Sequence, residues 1–459
     1  MKVKNFDLCY IGCGPATMFS ILHLIKNGYK GKICAIERGK SLKDRLPNEV
    51  CSGSFGAGTF SDSKISKSLN VGGIIPNQTQ EELDQYGDLL LGYINEFIPE
   101  TYEKINWGKN IPYNTSPSNL NWESNECCHV GSDRGRETYY EIEKYLSTQK
   151  NITFYWEKEV TDIFELTNNK YQIITSPMNA DTSILIAKKV IVATGQRGSL
   201  PNKLIDKFNL TKENRMLQLG IRVEDIINPE YEKIIKANYD FKFNKIYKYP
   251  NNIEVKVRTF CCNSGNAHVC AERPSEGYIA FNGHSYKKPD PNNNTVNYGI
   301  MCAVKNLPGL ENKEDQIELM KKVNQLPDWE EDNFWCGSKE PCACRFLLGG
   351  FEHLDGLYPD CVINSLYDFV NELNKIVDLS KAYYYYPEIK PSGTSPKVNY
   401  NNMETEQHNL YMIGDCHNTN SIIKSAIEGF IFANYILDEI ERLRLEKELK
   451  KKNKEKEVK

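Results

Sequence analysis

No run of roughly 18 apolar residues occurs in the chain, so no transmembrane helix is expected. A secretory leader is not expected either. Met1 to Asp7 is polar, and Leu8–Ile11 is too short for the apolar heart of one. An excess of positive charge is missing too. Lys and Arg number 57 against 61 Asp and Glu, a formal net charge of −4. At the level of the whole chain, this gives nucleic acid or an anionic membrane surface little to attract. No C-x-x-C occurs, no repeat with a period of roughly 20–50 residues is visible, and no second G-x-G-x-x-G follows the first. A dedicated NAD(P)H domain is therefore not expected, and any nicotinamide would bind transiently.

Cysteine, by contrast, is abundant, with 15 residues in 459. The odd number argues against a fully paired disulfide framework. Free thiols in a reducing compartment, and hence a cytoplasmic location, are expected. Cys127-Cys128-His129, Cys261-Cys262 and Cys342-Ala343-Cys344 are the clusters that invite a metal reading. None has a matching second pair, and adjacent cysteines on a strand point to opposite faces. No metal site is expected.

The length suits one large α/β body with an inserted part. Phe6–Ile11 reads as a strand buried on both faces. Pro15 suits the first turn of a helix that stops near Gly28, and Lys32–Glu37 is a second strand. Together they form a β-α-β unit. Residues 51–66 are loop-like, and residues 82–97 and 137–147 are expected to be helical. A β-meander spans Ile152 to Val192 and ends in the strand Lys189–Gly195. Residues 215–305 have strand character, with helices at 311–325 and 361–377. Leu410–Gly414 is another buried strand, followed by a helix over Ser421–Leu437 and a charged helical end. The fold class expected is α/β, a Rossmann-like domain with an inserted mainly-β substrate domain. Its parts are 1–214, the insertion 215–390, the returning segment 391–440 and a charged, fraying tail over 441–459.

The chemistry starts at Gly12-Cys13-Gly14-Pro15-Ala16-Thr17. A strand that feeds a helix through a tight turn leaves backbone N–H groups free at the helix N-terminus, where they and the helix dipole bind a pyrophosphate. Gly12 permits the turn and Gly14 allows close approach. Glu37, at the end of the second strand, is placed to accept hydrogen bonds from a ribose. Thr17 stands where the fingerprint has Gly or Ala, which suggests looser helix packing. A second strand-turn-helix, Leu410–Asp415 and the helix from Ser421, adds what an NAD-only protein does not need. An aspartate at Asp415 suits the ribityl chain of a flavin, and a helix dipole aimed at the ring stabilises its anionic reduced form. The strand end Ala193-Thr194-Gly195 is small enough for a cofactor to pass. FAD is the cofactor expected.

The chain resembles the two-dinucleotide-binding-domain flavoproteins of the glutathione reductase-like superfamily, and within them a poorly characterised family of FAD-dependent dehydrogenases. The resemblance is carried by Gly12–Ala16 with Glu37-Arg38-Gly39 and by Phe55–Lys64. Further on it is carried by Gly220–Glu224, Arg258–Cys261, Phe281–Ser285 and Gly414-Asp415. The chain departs from the family at Ser63, where a Gly is usual, and at Cys262–Gly265. It departs again at Cys416–Ser421, which replaces a glycine-rich turn. The resemblance implies FAD held across the first and last segments, with the Gly56–Lys64 loop alongside as an anion nest. Arg38, Arg45, Gly56, Ala57, Gly58, Thr59, Ser61, Val160 and Ser421 join the expected cofactor contacts.

His417, Cys261 and Lys64 are the catalytic candidates, and Arg222 is a candidate anion contact. His417 is two residues past Asp415, and histidine is the residue type suited to acid–base work near neutrality. Cys261 and Cys262 read either as a redox thiol pair or as two packed thiols. The function expected is hydride transfer between a small organic substrate and the flavin N5. A flavoenzyme acting on RNA or another macromolecule, and a non-catalytic FAD- or nucleotide-binding scaffold, stand as alternatives.

Overall fold

The computed structural model describes residues 3–46, 49, 52–176, 184–196, 198–215, 217–272, 280–288, 290–305, 313–323, 345–390 and 394–457. The Cys342–Cys344 cluster lies outside them.

The chain begins with β1 (Val3–Ile11), α1 (Pro15–Lys26) and β2 (Ile33–Ile36), and continues through β3 (Lys64–Ser66), α2 (Gln80–Phe97), β4 (Asn121–Glu123), β5 (Cys127–His129) and α3 (Ser132–Ser147). Next come β6 (Ile152–Tyr155), β7 (Glu159–Glu165), β8 (Tyr171–Ser176), β9 (Ile184–Val192), α4 (Leu200–Lys207) and β10 (Lys212–Asn214). The second half opens with β11 (Leu217–Ile226), α5 (Pro229–Ala237), β12 (Lys242–Lys248), β13 (Glu254–Ser264), β14 (Ala267–Glu272), β15 (Ala280–Ser285) and β16 (Thr295–Lys305). It closes with α6 (Lys313–Val323), β17 (Arg345–Leu347), α7 (Asp360–Asn374), β18 (Tyr383–Lys390), β19 (Thr394–Pro396), β20 (Val398–Asn399), β21 (Glu404–Thr405), β22 (Leu410–Met412) and α8 (Ile422–Glu457).

Two sheets organise the molecule. In the first, β22, β9, β1, β2 and β6 lie side by side and parallel. β7 and β8 hang from β9 as an antiparallel meander. The consecutive burial of Leu8, Cys9, Tyr10 and Ile11 fits a strand covered on both faces. This is an α/β sheet of the dinucleotide-binding kind, and its crevice opens at the C-terminal ends of β1 and β9. The second sheet is antiparallel in the order β17-β18-β11-β16-β13-β12-β4. Along β11, Leu219, Ile221 and Val223 alternate inward to a second core that includes Leu366, Phe369 and Val370 of α7. β4 comes from within residues 1–214 yet pairs with β12, so the early chain also contributes an edge to the second sheet.

Several elements differ from the sequence expectation. α2 starts earlier, at Gln80, because Thr79 and Glu82 form a reciprocal capping box. α3 also starts earlier, at Ser132. A helix, α5, interrupts the strand-rich segment, capped by Asn228 with Pro229 in its first turn. The stretch expected as loop contains a 3₁₀ turn, Gly56–Phe60, and β3, which pairs with β5. The charged end does not separate from the preceding helix, for α8 runs 36 residues to Glu457. Pairs such as Arg444–Glu448 at 3.8 Å lie along its exposed part. No described helix is long and apolar enough to cross a membrane.

Candidate functional site

A cavity of about 460 Å³ runs from the β1–α1 turn, past the Gly56–Gly58 turn and the Gly414-Asp415 turn, to one face of the second sheet. Its first end is made of backbone. Gly12 has φ +93°, and a Cβ there would sit 2.3 Å from the Ala193 carbonyl oxygen. Only glycine fits. A Cβ on Gly14 would meet nothing within 4 Å, which is the room a ligand needs. No side chain caps α1, so its first-turn N–H groups stay available for an anion. Thr17 does not loosen the packing. It is fully buried and donates to the Gly12 carbonyl at 2.7 Å.

Glu37 lines the cavity, but its carboxylate is already engaged. Oε2 accepts from the Cys13 N–H at 2.8 Å, and Oε1 accepts from Gly39 and Gly53 at 2.8 and 2.9 Å. It therefore ties three loop segments together and keeps about one acceptor position free for a ribose hydroxyl.

The Gly56–Phe60 turn is held from beneath. Arg45 is 1% exposed and its Nη1 donates to the carbonyls of Ser54 and Gly56 and to Thr59 Oγ1, while Nη2 donates to the Glu49 carbonyl. Arg45 and Thr59 do not line the cavity. Both were expected as cofactor contacts, and both instead prop the turn that Gly56, Ala57, Gly58 and Ser61 present to the cavity. Ser63, where the sequence resemblance led to an expectation of Gly, adopts φ +52°. Its hydroxyl donates to the Gly58 carbonyl at 2.7 Å, a local bond that offsets some of the strain.

At the second turn, Asp415 Oδ1 accepts from Ser425 at 3.0 Å and Thr419 at 3.2 Å, which leaves Oδ2 toward the cavity. Burial pushes its carboxyl up, against the pull of Ser425 and Arg215. Ser421 lines the cavity and caps α8, accepting from the Lys424 N–H at 3.3 Å. His417 lies elsewhere than the catalytic assignment required. It is fully buried and outside the cavity lining, with Nδ1 3.0 Å from Glu428 Oε1. The other Glu428 oxygen accepts from the Gly414 N–H at 2.6 Å. His417 thus braces the turn through Glu428. The ring cannot reach the cavity because the turn folds it inward behind Gly414.

The far end of the cavity is made of side chains on the polar face of the second sheet. Arg222 on β11, Lys242 on β12, Arg258 and Phe260 on β13, and Glu388 and Lys390 on β18 all line it. Their phase follows from the strand period. Val255 and Val257 enter the core, so Arg258 and Phe260 face the other way. On β18 a register shift opposite Gly220–Arg222 turns Glu388 to the same face as Tyr385. Gly299 on β16 gives Phe260 its seat, since a Cβ there would come within 1.9 Å of the ring.

Lys64 reaches this end from β3. Its ammonium lies 3.2 Å from Asp62 and 3.6 Å from Asp240 and donates to the Cys262 carbonyl. Burial opposes its charge, but the two aspartates hold its pKa well above the ordinary value. Lys64 is a fixed cation, unsuited to act as a base. Cys261 sits at a bulge in β13 with φ +49° and faces the cavity, whereas Cys262 is buried and donates to the Phe241 carbonyl. The two sulfurs serve different compartments and do not act as a pair. Among the described residues no group of three His, Cys, Asp or Glu comes together to hold a metal ion.

The structure thus gathers Gly12, Gly14, Pro15, Ala16, Glu37, Arg38, Gly56, Ala57, Gly58, Ser61, Val160, Ala193, Thr194, Gly195, Gly414, Asp415 and Ser421 around one cavity, with Lys64 and Cys261 at its far end. Sequence reasoning missed Lys242, Glu388 and Lys390 altogether and gave Arg258 no role. A usable signal was present in β13, where Val255 and Val257 alternate with Lys256 and Arg258.

No family model matches the chain, and no curated protein matches it. Solved structures similar to it include glycine oxidase from Geobacillus kaustophilus, 11% identical over 94% of each chain with a TM-score of 0.42. Another is p-nitrophenol 4-monooxygenase PnpA from Pseudomonas putida DLL-E4, 12% identical over 95% of this chain and 80% of that one, TM-score 0.41. A third is pqsL, a probable FAD-dependent monooxygenase from Pseudomonas aeruginosa, 10% identical over 95% and 85%, TM-score 0.39. These likenesses assign the chain to no family, the glutathione reductase-like flavoproteins included. They are too distant to say what it binds or does.

Proposed function

We propose that the protein is an FAD-dependent oxidoreductase acting on a small organic substrate. One observation supports this most: a single cavity touches two glycine turns from opposite ends of the chain and then continues to a sheet face rich in ionisable side chains. The residues fit the cofactor's parts. The uncapped α1 N-terminus and the open space at Gly14 suit a pyrophosphate. Glu37 suits the ribose, and Asp415 Oδ2 the ribityl hydroxyls. The Gly56–Gly58 turn and Ala193–Gly195 wall the space between.

When bound, FAD supplies hydride transfer at its N5. The protein's own residues position and shield. Phe260 and Phe281 give the far end apolar surface. Lys64, held charged by Asp62 and Asp240, is neutralised by them and anchors β3 to this end. Among the histidines, His417 is committed to Glu428, so it does not serve as acid or base. The nicotinamide, if used, enters transiently as reductant.

The test is the absorption spectrum of the purified protein, before and after reconstitution with FAD. The two visible bands of oxidised flavin, retained through gel filtration, are the expected result. A protein that stays colourless and takes up no FAD would overturn the proposal. Anaerobic mixing with NADH or NADPH then asks whether a nicotinamide bleaches the flavin.

A further inference from the structure

The sheet-face end carries more positive charge than it neutralises. Lys242 lies 2.5 Å from Asp240, Lys64 bonds Asp62 and Asp240, and Arg222 lies 3.7 Å from Glu388. Arg258 and Lys390 form no ion pair among the described residues. Arg258 donates once, to the Asn70 carbonyl at 3.2 Å. The Lys390 ammonium makes no hydrogen bond among them. It reaches across the sheet to sit 4.6 Å from the centre of the Phe260 ring, two residues along β13 from Arg258.

Like charges that converge in a partly desolvated place destabilise each other unless an anion joins them. Burial pushes the Lys390 pKa down; Glu388 and Cys261 pull it up, Arg258 adds a smaller push down and Asp415 a smaller pull up, and none of the carboxylates comes within ion-pair distance. Both cations line the open cavity, so an anion has a way in. A guanidinium fork and an ammonium are the usual partners of a carboxylate. The phosphate end of this cavity is built differently, from backbone N–H groups at a helix N-terminus. Among the described residues the far end has no such helix and offers side chains with apolar rings beside them.

We propose that the substrate is an organic carboxylate, its carboxylate held between Arg258 and Lys390 and its apolar part laid against Phe260 and Phe281. This rests on the flavin reading for the reaction but not for the binding.

The experiment titrates FAD-loaded protein with benzoate and acetate, with benzamide and acetamide as neutral counterparts and inorganic phosphate as the other anion. Perturbation of the flavin spectrum and calorimetric heat are both read. Loss of a charge-assisted hydrogen bond corresponds to about ten- to a hundredfold in affinity, so the carboxylates should exceed their amides by that factor. Lys390→Met and Arg258→Met should each weaken benzoate at least about tenfold, with FAD content unchanged. Lys390→Arg should restore part of the loss.

Equal binding of carboxylate and amide, no binding of either, or phosphate competing as well as benzoate would each overturn the proposal. So would a Lys390→Met protein that loses FAD instead of benzoate, because the cations then serve the cofactor. If no FAD is taken up, the flavin reading fails by itself. Calorimetry with benzoate then decides this site: heat abolished by Lys390→Met supports it and absence of heat overturns it.

Discussion

The two ends of the cavity are built from different materials. At the α1 end the groups that the proposed function uses are backbone N–H groups, and side chains such as Arg45, Thr17 and Glu37 shape the loops that carry them. At the sheet end the functional groups are side chains on strands, and the backbone is a rigid frame whose hydrogen bonds are used up in pairing. A backbone site tolerates little change in φ or in the size of the residue, whereas a side-chain site tolerates sequence change as long as charge and strand phase persist. Substitutions that alter the backbone of the turns at the first end should therefore affect fold and cofactor together. At the second end they should separate ligand from fold.

Gly12→Ala is the most severe way to test that difference. The new Cβ overlaps the Ala193 backbone and the residue must keep φ +93°, so a loss above about 4 kcal/mol and little folded protein are expected in thermal melts. Gly14→Ala should behave oppositely. Its φ of −71° is ordinary and the space is open. Stability should stay within about 0.5 kcal/mol while FAD retention falls. If Gly14→Ala keeps its flavin, the anion does not approach there.

Glu37→Ala comes next. It strips the acceptor from three loop N–H groups, each costing about 1–3 kcal/mol if left unpaired. Losses that overlap should total about 3 kcal/mol, and FAD retention should fall with them. Glu37→Gln keeps one oxygen and should lie between. His417→Ala should cost about 2 kcal/mol, for a buried hydrogen bond and the ring's volume. The spectrum of whatever flavin remains should not change. A shifted spectrum would put the imidazole against the ring.

The same contrast explains what could be read in advance. The Gly12–Ala16 turn, the Gly56–Gly58 segment and the Gly414-Asp415 turn were legible because a backbone that passes close to a ligand demands small residues in fixed order. The parallel strands β1, β2 and β9 were legible as continuous apolar runs. At the sheet face only part was legible: Arg222, Lys64 and Cys261 could be named and β13 carried a signal, but β18 did not. Whether Glu388 and Lys390 face the cavity depends on the register shift beside Gly220, a tertiary detail that a period-2 reading of β18 does not contain. Proximity in sequence also misled at His417, where a tight turn sends neighbours of Asp415 to the opposite side. Arg45 misled for a related reason, since its fork of donors matches loop carbonyls as well as phosphate.

Two lysines, one half-buried and one buried, give the smallest and most selective test. Lys390 faces the cavity, while Lys424 on α8 is sealed from solvent and bonds Gln78. Burial pushes the Lys424 pKa down to about 8, against the pull of Glu428. The folded protein therefore binds fewer protons than the unfolded chain between about pH 8 and the ordinary lysine value of about 10.4. Stability should rise with pH across that window and lie at its lower level below it. Removing the charge in Lys424→Met should raise stability at pH 7 by about 1–2 kcal/mol, after allowing for screening and the lost Gln78 bond. The gain should shrink toward pH 10, as followed by denaturant melts at several pH values, with FAD content unchanged. Lys390→Met should leave the Lys424 contribution in place and remove only its own, which has the same sign because burial lowers that pKa too. If Lys390→Met changes the pH dependence of stability but leaves benzoate binding untouched, the lysine at the sheet end is purely structural, and the division between the two ends of the cavity fails there.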